Sequence, residues 1–353
     1  MAIRWPLLAL DIGSGTQDLL LYDPAQPLEN CVKMILPSPT VLLARRIAWA
    51  TAAGRDIFLH GLRMGGGPCV SALKRHLRAG YRVYATPEAA RTVRDNPAEV
   101  QALGIQIVSA PPDDALPLET GDIQARALQS ALSAFDLEWP PSFAVAVQDH
   151  GESAGEGQRR FRFRQWEAFL AGGGDLSALL YEQPPPHLTR MEAVRQVLPE
   201  AFLMDTGAAA VWGALSDEAA AAHREEGLVV VNVGNQHTLG VLVQGRRIWG
   251  LFEHHTAVLD TAGLARWVEE LRAGTISGEA VYAENGHGAC VDPHYPGETG
   301  RFRFVVVTGP RRELARPLGY HRAAPYGDMM LVGALGLVSA VRARAGLGEL
   351  PPG

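Results

Sequence analysis

The first half of the chain alternates short apolar runs with stretches in which apolar residues recur at helical spacing. The apolar runs predict strands, and the stretches of helical spacing predict amphipathic helices. The predicted strands are LLALDI, DLLLYD, CVKMIL, RDIFLHG, YRVYA and SFAVAVQDHG, of which the first two form a hairpin. The predicted helices are TVLLARRIAWATAAG, which stops at Gly54, VSALKRHLRAG and GDIQARALQSALSAFD. This order of elements favours a mixed α/β architecture.

A second cycle of the same kind begins near residue 201. It predicts an alanine-rich helix (DTGAAAVWGAL), successive strands (GLVVVNVGNQHTLGVLVQGRRIWGLFEHHT), a helix (TAGLARWVEELRAG) and a further strand (RFRFVVVTGP). A glycine-containing hairpin occurs in each half, near residues 11 and 234. These two hairpins indicate an internal duplication.

We therefore expect two domains, 1–204 and 205–353, with a substrate or insert region at 60–200 within the first. YGDMMLVGALGLVSAVRARAG predicts a long closing helix at 327–345, which could pack back on the first domain. The segments AAAVWGAL and VGALGLV are rich in small residues. Helices of this kind could pack closely together at a hinge between the domains.

Composition narrows the class of protein. At 353 residues, with 47% apolar and 20% charged residues, the chain suits one large or two medium globular domains. Its net charge of −6 gives no basic field for nucleic acid, and its three distant cysteines fit a reducing compartment. The N-terminus has no secretory pattern, and no apolar run approaches the roughly 18 to 20 residues of a membrane span. We expect a cytoplasmic protein that binds neither nucleic acid nor membrane.

The first hairpin carries the motif DIGSGTQD, which begins at Asp11 and ends at Asp18. It lacks both the dinucleotide fingerprint and the Gly-Lys-Ser/Thr ending of a P-loop. Its glycines allow main-chain amides to approach an anion, and an aspartate at a strand end can hold hydrated Mg²⁺. An ordinary β-turn explains the same residues.

The second hairpin repeats this layout, with Asn232 at the strand end, Gly234 and Asn235 at the bend and Thr238 beyond it. Two such hairpins could hold a nucleotide from both sides of a cleft. A third apolar strand, in FVVVTGPRREL, ends in the Thr-Gly-Pro sequence at 308–310.

In this order the motifs resemble those of the actin, sugar-kinase and Hsp70 ATPase superfamily. The resemblance implies a two-domain actin-like ATPase (ribonuclease H-like) fold with an interdomain cleft for ATP and Mg²⁺. It places the phosphate 1, connect 1, phosphate 2, adenosine and connect 2 motifs at 11–16, 205–215, 232–238, 306–311 and 327–337. The implied cofactor-binding residues are Asp11, which would hold Mg²⁺ through water, and Gly13, Ser14, Gly15, Thr16, Asn232, Gly234, Asn235, Thr238, Gly309, Pro310 and Gly327.

More closely, DIGSGTQD, RMGGGP, VQDHG, NVGNQHT and EHHT resemble a prokaryotic family that is labelled as a pyruvate formate-lyase activating enzyme. Activating enzymes of that kind are radical-SAM proteins and need a Cys-x-x-x-Cys-x-x-Cys motif for their iron–sulfur cluster. Cys31, Cys69 and Cys290 are too far apart in sequence to form one. We therefore reject the labelled activity.

Three positions depart from the superfamily pattern. Asn232 replaces the usual aspartate of phosphate 2, and a neutral amide binds Mg²⁺ more weakly, which favours slow hydrolysis. Asp18 replaces the Lys or Arg of many sugar kinases and is similar to the hydantoinase and oxoprolinase branch. Pro310 replaces the second glycine of the adenosine loop. These departures argue against a standard sugar kinase.

Asp205 matches the acidic connect 1 residue that orients an attacking water or a substrate hydroxyl in some relatives, so the candidate catalytic residues are Asp205 and Asp11. An aspartate directly before a helix is equally suited to capping that helix. Both interpretations of Asp205 stay open.

The candidate substrate-binding residues lie in glycine- and histidine-rich segments. Glycines before a helix can bind an anion, although a flexible connection explains them better. Histidines beside acidic residues can bind a metal, but their spacing matches no zinc signature, and substrate contact or loop hydrogen bonding is favoured. The candidates are Arg63, Gly65, Gly66, Gly67, Asp149, His150, His237, His254, His255 and His287.

The segment QRRFRFRQW alternates arginine with aromatic residues. Such alternation could stack single-stranded nucleic acid. The acidic composition favours an amphipathic surface strand instead.

The leading hypothesis is an ATP-dependent phosphotransferase or hydrolase acting on a small anionic metabolite. A nucleotide-switched activator or chaperone of a client enzyme is the alternative, and a homodimer is among the open oligomeric states. A third hypothesis keeps the fold and assigns the chemistry to a metal held by His150, His254, His255 and His287.

Overall fold

The computed structural model describes residues 3–152, 157–297 and 300–353. In chain order the strands are β1 (Leu7–Ile12), β2 (Thr16–Tyr22), β3 (Val32–Pro37), β4 (Ile57–Gly61), β5 (Val83–Ala85), β6 (Ile105–Ile107), β7 (Leu116–Thr120), β8 (Ser142–Val147), β9 (Phe202–Met204), β10 (Leu228–Val233), β11 (His237–Gln244), β12 (Arg247–His255), β13 (Gly286–Val291), β14 (Phe304–Thr308) and β15 (His321–Arg322). The helices are α1 (Pro39–Ala52), α2 (Gly67–Arg78), α3 (Pro87–Ala90), α4 (Pro97–Ala102), α5 (Ala125–Ser133), α6 (Gln158–Ala171), α7 (Thr189–Val197), α8 (Thr206–Ala214), α9 (Glu218–Ala222), α10 (Thr261–Ala273), α11 (Gly278–Ala283) and α12 (Val332–Arg344).

The first sheet has the strand order β3-β2-β1-β8-β9. Strands β1, β2 and β3 form an antiparallel meander, whereas β8 runs parallel to β1 and β9 runs parallel to β8. Nearly every residue of β1 and β8 is buried, because helices cover both faces of the sheet at its centre. The predicted N-terminal hairpin and the buried strand SFAVAV are therefore confirmed.

The second sheet repeats this topology and has the order β13-β12-β11-β10-β14-β15. Its strands β10, β11 and β12 are antiparallel neighbours, and β14 and β15 continue the sheet in parallel on the other side of β10. Strand β13 is an added edge strand. Each half thus has the strand order of a ribonuclease H-like fold, and two such halves form the actin-like ATPase fold that we expected. The internal duplication is confirmed at the level of topology.

A third sheet lies in the segment between β3 and β8. Its four strands, β6-β5-β4-β7, are all parallel, and helices α1 and α2 pack beside them. This insert has a hydrophobic core of its own, built around Ile47, Leu59, Leu73 and Val83. Its loops face the two larger sheets at the site described below.

Helices α8 and α12 cross in close contact between the two large sheets. A Cβ atom added at Gly213 would lie 1.8 Å from the carbonyl oxygen of Val332. One added at Gly336 would lie 1.9 Å from the carbonyl oxygen of Ala209. The predicted close packing of the small-residue helices is therefore confirmed, because only glycine permits these distances. Helix α12 also contacts β1, β2 and β8 of the first sheet.

The segment QRRFRFRQW is a helix, and the predicted surface strand is wrong. It forms most of α6, whose side chains Arg162, Phe163, Trp166 and Leu170 are buried. Their spacing of three and four residues places them on one face of the helix. Helix α6 packs against β13, so it links the first half of the chain to the second sheet.

The closing helix starts later than predicted. It begins at Val332, and residues 325–327 form a short 3-10 turn in which Tyr326 has a φ of 53°. No helix in the described part of the chain is long and apolar enough to cross a membrane.

Candidate functional site

A cavity of about 470 Å³ opens between the two large sheets and the insert. Ligand sites in proteins commonly have volumes of this size. Its walls come from the β1–β2 hairpin, the β10–β11 hairpin, the loop after β14, the glycine-rich loop before α2 and the first turn of α12. Most of the predicted phosphate-binding residues lie on these walls.

The two hairpins have the same turn and meet at their tips. The Gly13 amide donates to the Thr16 carbonyl at 2.9 Å, and the Gly234 amide donates to the His237 carbonyl at 2.9 Å. A Cβ atom added at Gly15 would lie 2.5 Å from Nδ2 of Asn235. The hairpins are therefore matched in structure, touch at their tips and both line the cavity.

The sequence-predicted cofactor residues divide into two groups. Gly15, Thr238 and Gly327 are not on the cavity wall. Thr238 is buried instead, and its hydroxyl forms a hydrogen bond with the hydroxyl of Thr256 at 3.0 Å. The residues that line the cavity are Asp11, Gly13, Ser14, Thr16, Asn232, Gly234, Asn235, Gly309 and Pro310.

Gly309, in the loop after β14, has a steric reason to be glycine. Gly309 has a φ of 96°, a left-handed conformation that side chains disfavour. A Cβ atom there would lie 2.5 Å from the carbonyl oxygen of Val233 and 2.6 Å from Oδ1 of Asn232. The third loop therefore packs directly against the second hairpin.

Asp11 and Asp18 form an unneutralised acidic pair close to the turn of the first hairpin. They lie opposite each other on β1 and β2, and Oδ1 of each is buried without a hydrogen-bond partner in the described structure. Burial raises the pKa of Asp11 well above its usual value, and the charges of Asp18 and Asp205 raise it further. Burial likewise raises the pKa of Asp18 to about 7. Two buried carboxylates of this kind favour a bound cation.

Asp205 caps helix α8, as the structural interpretation of this residue expected. Its Oδ1 accepts the Gly207 amide at 2.9 Å. Arg162 donates to both carboxylate oxygens, at 2.9 Å to Oδ2 and 3.3 Å to Oδ1. Asp205 lines the cavity with both oxygens engaged, an arrangement that suits positioning better than proton abstraction.

Arg162 and Glu253 are cavity residues that the sequence analysis missed. Both side chains are buried, and the Arg162 Nε donates to Glu253 Oε2 at 2.6 Å. Burial opposes the charge of Arg162, but Asp205 and Glu253 outweigh it and raise the pKa of the guanidinium. Gln148 donates to the other carboxylate oxygen, Glu253 Oε1, at 2.8 Å. A buried charge inside the apolar strand IWGLFEHH was the available signal for Glu253.

Three histidines converge on Glu253 at one end of the cavity. Nitrogen atoms of His150, His237 and His287 and a carboxylate oxygen of Glu253 all lie within 4.8 Å of one another. Burial lowers the pKa of each of these imidazoles, to about 4 for His237. The sequence candidates His150, His237 and His287 are thus brought together.

His254 and His255 do not belong to this cluster. As consecutive residues of β12 their side chains point to opposite faces of the sheet. The ring of His255 lies beside the cluster, with its centroid 4.7 Å from that of His287. His254 is buried and pairs through Nδ1 with the carbonyl oxygen of His255 at 3.1 Å.

Asp149 and Arg63, two of the substrate candidates, have structural partners. Asp149 accepts the amides of Arg190 and Met191 at 2.8 and 3.0 Å and so caps the start of α7. Arg63 is ion-paired with Asp95 at 2.7 Å and with Glu152 at 2.9 Å. Both residues line the cavity with their hydrogen-bonding groups engaged.

The glycine-rich loop approaches both hairpins. A Cβ atom at Gly67 would lie 3.1 Å from Nε2 of Gln236 and 3.6 Å from Cβ of Ser14. One at Gly65 would lie 2.7 Å from Nη2 of Arg190. Glycine permits this approach, so the loop closes the cavity from the insert side.

The model of one protein family, described as "Putative pyruvate format-lyase activating enzyme (DUF1786)", matches residues 64–314, which is more than half of the chain. The chain belongs to this family. Its three cysteines are free thiols: Cys31 and Cys69 are buried in two different cores, and Cys290 lies in the second sheet. This family member therefore lacks the clustered cysteines that the chemistry in the description needs.

None of the curated proteins matches the sequence. Among solved structures, the chain is similar to the PilM–PilN type IV pilus biogenesis complex, with 14% identity, a TM-score of 0.37, and 96% of this chain and 99% of that one covered. It is also similar to a Ppx/GppA family protein from Aquifex aeolicus, with 11% identity, a TM-score of 0.29, and coverages of 86% and 65%. The chain is also similar to the ROK hexokinase from Thermus thermophilus, with 14% identity and a TM-score of 0.28, and 98% of this chain and 91% of that one are covered. Similarities of this size say nothing about activity.

Proposed function

We propose that the cavity binds ATP with Mg²⁺, and that the chain is an ATP-dependent phosphotransferase or hydrolase acting on a small anionic metabolite. The pair of matched hairpins carries this proposal. They have the same turn hydrogen bond, come from two sheets of the same topology and face one cavity. Glycine-rich turns of this kind let main-chain amides approach phosphate oxygens.

The acidic pair fits a magnesium ion. Asp11 and Asp18 each present a buried carboxylate oxygen with no partner among the residues described. Carboxylates are the ligands that Mg²⁺ prefers, and the ion usually keeps several waters in addition. Asp11 and Asp18 would hold Mg²⁺, and the ion would supply positive charge beside the phosphates. Asn235 and Ser14 at the hairpin tips would orient the phosphate chain.

The insert side of the cavity suits an anionic second substrate. Lys74 and Arg94 line this side, and Lys74 is exposed without an ion pair in the described structure. Arg63 and Arg91 lie beside them, but Glu152 is ion-paired with both. Arg94 is ion-paired with Glu99 at 3.8 Å, so among the described cations on this side Lys74 is free to meet a carboxylate or phosphate of a metabolite.

Calorimetric titration of the purified chain with ATP, in the presence and absence of Mg²⁺, tests the binding step. We expect saturable binding to one site that strengthens with Mg²⁺ and weakens at least about tenfold in Asp11→Asn, because each lost charge-assisted contact is worth about 1.5–3 kcal/mol. Asp23→Asn is the matched control, since Asp23 follows the far end of β2 and its variant keeps the bond to the Ala25 amide. Absence of nucleotide binding under all of these conditions would overturn the proposal.

Measurement of ADP formation then tests the reaction, because a phosphotransferase and a hydrolase both produce ADP. With ATP, Mg²⁺ and a panel of small carboxylates and sugar acids, at least one compound should raise the rate of ADP formation above the rate with ATP alone. Lys74→Ala should raise the KM for that compound and leave the KM for ATP unchanged. ATP binding without stimulation by any compound would leave only the binding part of the proposal.

A further inference from the structure

We propose that His150, His237, Glu253 and His287 form a site for one divalent transition-metal ion, separate from the magnesium site. This inference does not rest on nucleotide binding. It replaces the histidine set expected from sequence, because His254 and His255 lie outside the cluster and Glu253 lies inside it.

The four side chains come from separate parts of the chain and converge on one point. His150 follows β8 of the first sheet, whereas His237, Glu253 and His287 belong to three strands of the second sheet. The Nδ1 atom of His287 lies 3.2 Å from Oε1 of Glu253, and the Nε2 atom of His150 lies 4.0 Å from the same oxygen. Ligand atoms at such separations can surround a single ion with small side-chain movements.

Two of the ring nitrogens make no hydrogen bond within the described part of the chain, although both lie near Glu253 Oε1. Nε2 of His150 and Nδ1 of His287 are buried and make no hydrogen bond to any described residue. His287 is only 2% exposed, so bulk solvent does not reach its ring. Buried polar atoms are normally paired, and an ion between these nitrogens and Glu253 would satisfy both of them.

Neighbouring groups orient the ligands as outer-shell residues do in metal sites. Nδ1 of His237 donates to Oε1 of Gln148 at 2.7 Å, which leaves Nε2 of that ring for a metal. The same amide donates its Nε2 to Glu253 Oε1 at 2.8 Å, and Arg162 holds Glu253 Oε2 at 2.6 Å. Such contacts fix the ring and carboxylate orientations of metal ligands.

The ligand types select the class of ion. Three imidazoles and one carboxylate suit Zn²⁺, Fe²⁺, Mn²⁺ or Co²⁺. Mg²⁺ prefers oxygen ligands throughout and would bind at Asp11 and Asp18 instead. The chain would thus hold two different ions in one cavity, and Arg162 would link the two sites through Glu253 and Asp205.

Metal titration of the chelator-stripped full chain tests the site without nucleotide. We expect one Co²⁺ per chain, with a visible absorption band that Zn²⁺ abolishes in a stoichiometric competition. His237→Gln and Glu253→Gln should each weaken Zn²⁺ binding at least about tenfold. His254→Gln, a buried histidine of the same strand outside the cluster, and Asp18→Asn, in the magnesium site, should bind Zn²⁺ as the wild type does.

Measurements on the wild type test the metal site even where a variant fails to fold. X-ray absorption of the zinc-loaded chain should show scattering from imidazole rings. Binding of less than about 0.1 ion per chain, a zinc spectrum with oxygen scattering alone, or unchanged affinity in a folded His237→Gln would each overturn the proposal. Loss of the transition metal in Asp18→Asn would do so as well, because the ion would then belong to the acidic pair.

Discussion

Arg162 donates to Asp205 at 2.9 Å, although the two residues lie 43 positions apart, one on α6 and the other at the start of α8. The same guanidinium donates to Glu253 on the second sheet at 2.6 Å. One buried cation therefore joins the first half of the chain, the capped helix α8 and the histidine cluster. Charges of this kind are costly to bury singly and tolerable only as a set.

Removing that cation should destabilise the protein strongly. Arg162→Met leaves the carboxylates of Asp205 and Glu253 buried without their guanidinium, and we expect a loss of about 3–5 kcal/mol in the free energy of unfolding. Urea denaturation measures it. Arg162→Met combined with Glu253→Gln should be more stable than the sum of the single changes predicts, because one unpaired charge has gone. A loss below about 1 kcal/mol in Arg162→Met would show that the ion pairs matter little.

A single methyl group at Gly333 should impair the proposed magnesium site. A Cβ atom there would lie 1.9 Å from Oδ2 of Asp11, so the carboxylate must move. We expect Gly333→Ala to weaken Mg²⁺-dependent ATP binding at least about tenfold, as loss of a charge-assisted contact would. Calorimetry at equal protein concentration provides the comparison.

Gly336→Ala is the matched control on the same helix. Its Cβ atom would meet the Ala209 backbone, not Asp11. Its main effect should be a loss of about 1–3 kcal/mol of stability from overpacking, with ATP affinity within a few-fold of the wild type. Equal effects of the two changes on ATP affinity would argue against a special role for Gly333.

The large-scale fold could be predicted because its signals are local. An apolar run, a glycine bend and a second apolar run identify β1 and β2 without any knowledge of their neighbours. The same pattern recurs in β10 and β11, which revealed the duplication. Pairing of β1 with β8 depends on residues more than a hundred positions away, and no local pattern specifies it.

The histidine site could be predicted only in part. His150, His237 and His287 were recognised by residue type, but their convergence depends on how the two sheets face each other. Glu253 had a usable signal, a charge within an apolar strand. Arg162 also had a usable signal, because the spacing of Phe163, Trp166 and Leu170 is helical. The alternation of arginine with aromatic residues predicted a surface strand instead, in which Arg162 would be exposed.

The insert should carry a pH-sensitive contribution to stability at His76. This imidazole is fully buried, contacts Thr51 and the Tyr81 ring, and leaves Nε2 unpaired in the described structure. Burial lowers its pKa from 6.5, although the charge of Asp56 acts in the opposite direction. The unfolded chain thus takes up a proton at His76 at a higher pH than the folded chain does, so stability is lost as pH falls through 6.5.

Denaturant unfolding at about pH 8 and about pH 5 measures this effect. Wild type should lose more stability between the two pH values than His76→Gln, whose amide can keep the bond to Thr51 and does not titrate. Equal losses in the two proteins would mean that His76 ionises alike in the folded and unfolded chains.

The acidic pair, Asp11 and Asp18, should lower the thermal stability of the metal-free protein. Burial raises the pKa of both carboxyls, that of Asp18 to about 7, so ionising this pair with no cation between the side chains costs folding free energy. Asp18→Asn removes one charge, so in the presence of a chelator its melting temperature should exceed that of the wild type.

Adding Mg²⁺ should raise the wild-type melting temperature more than that of Asp18→Asn, because a ligand that binds more tightly stabilises the folded state more. Thermal unfolding with chelator and with Mg²⁺ gives both quantities, and Asp23→Asn should behave as the wild type in each. A melting temperature that Mg²⁺ raises equally in wild type and Asp18→Asn would remove Asp18 from the proposed magnesium site.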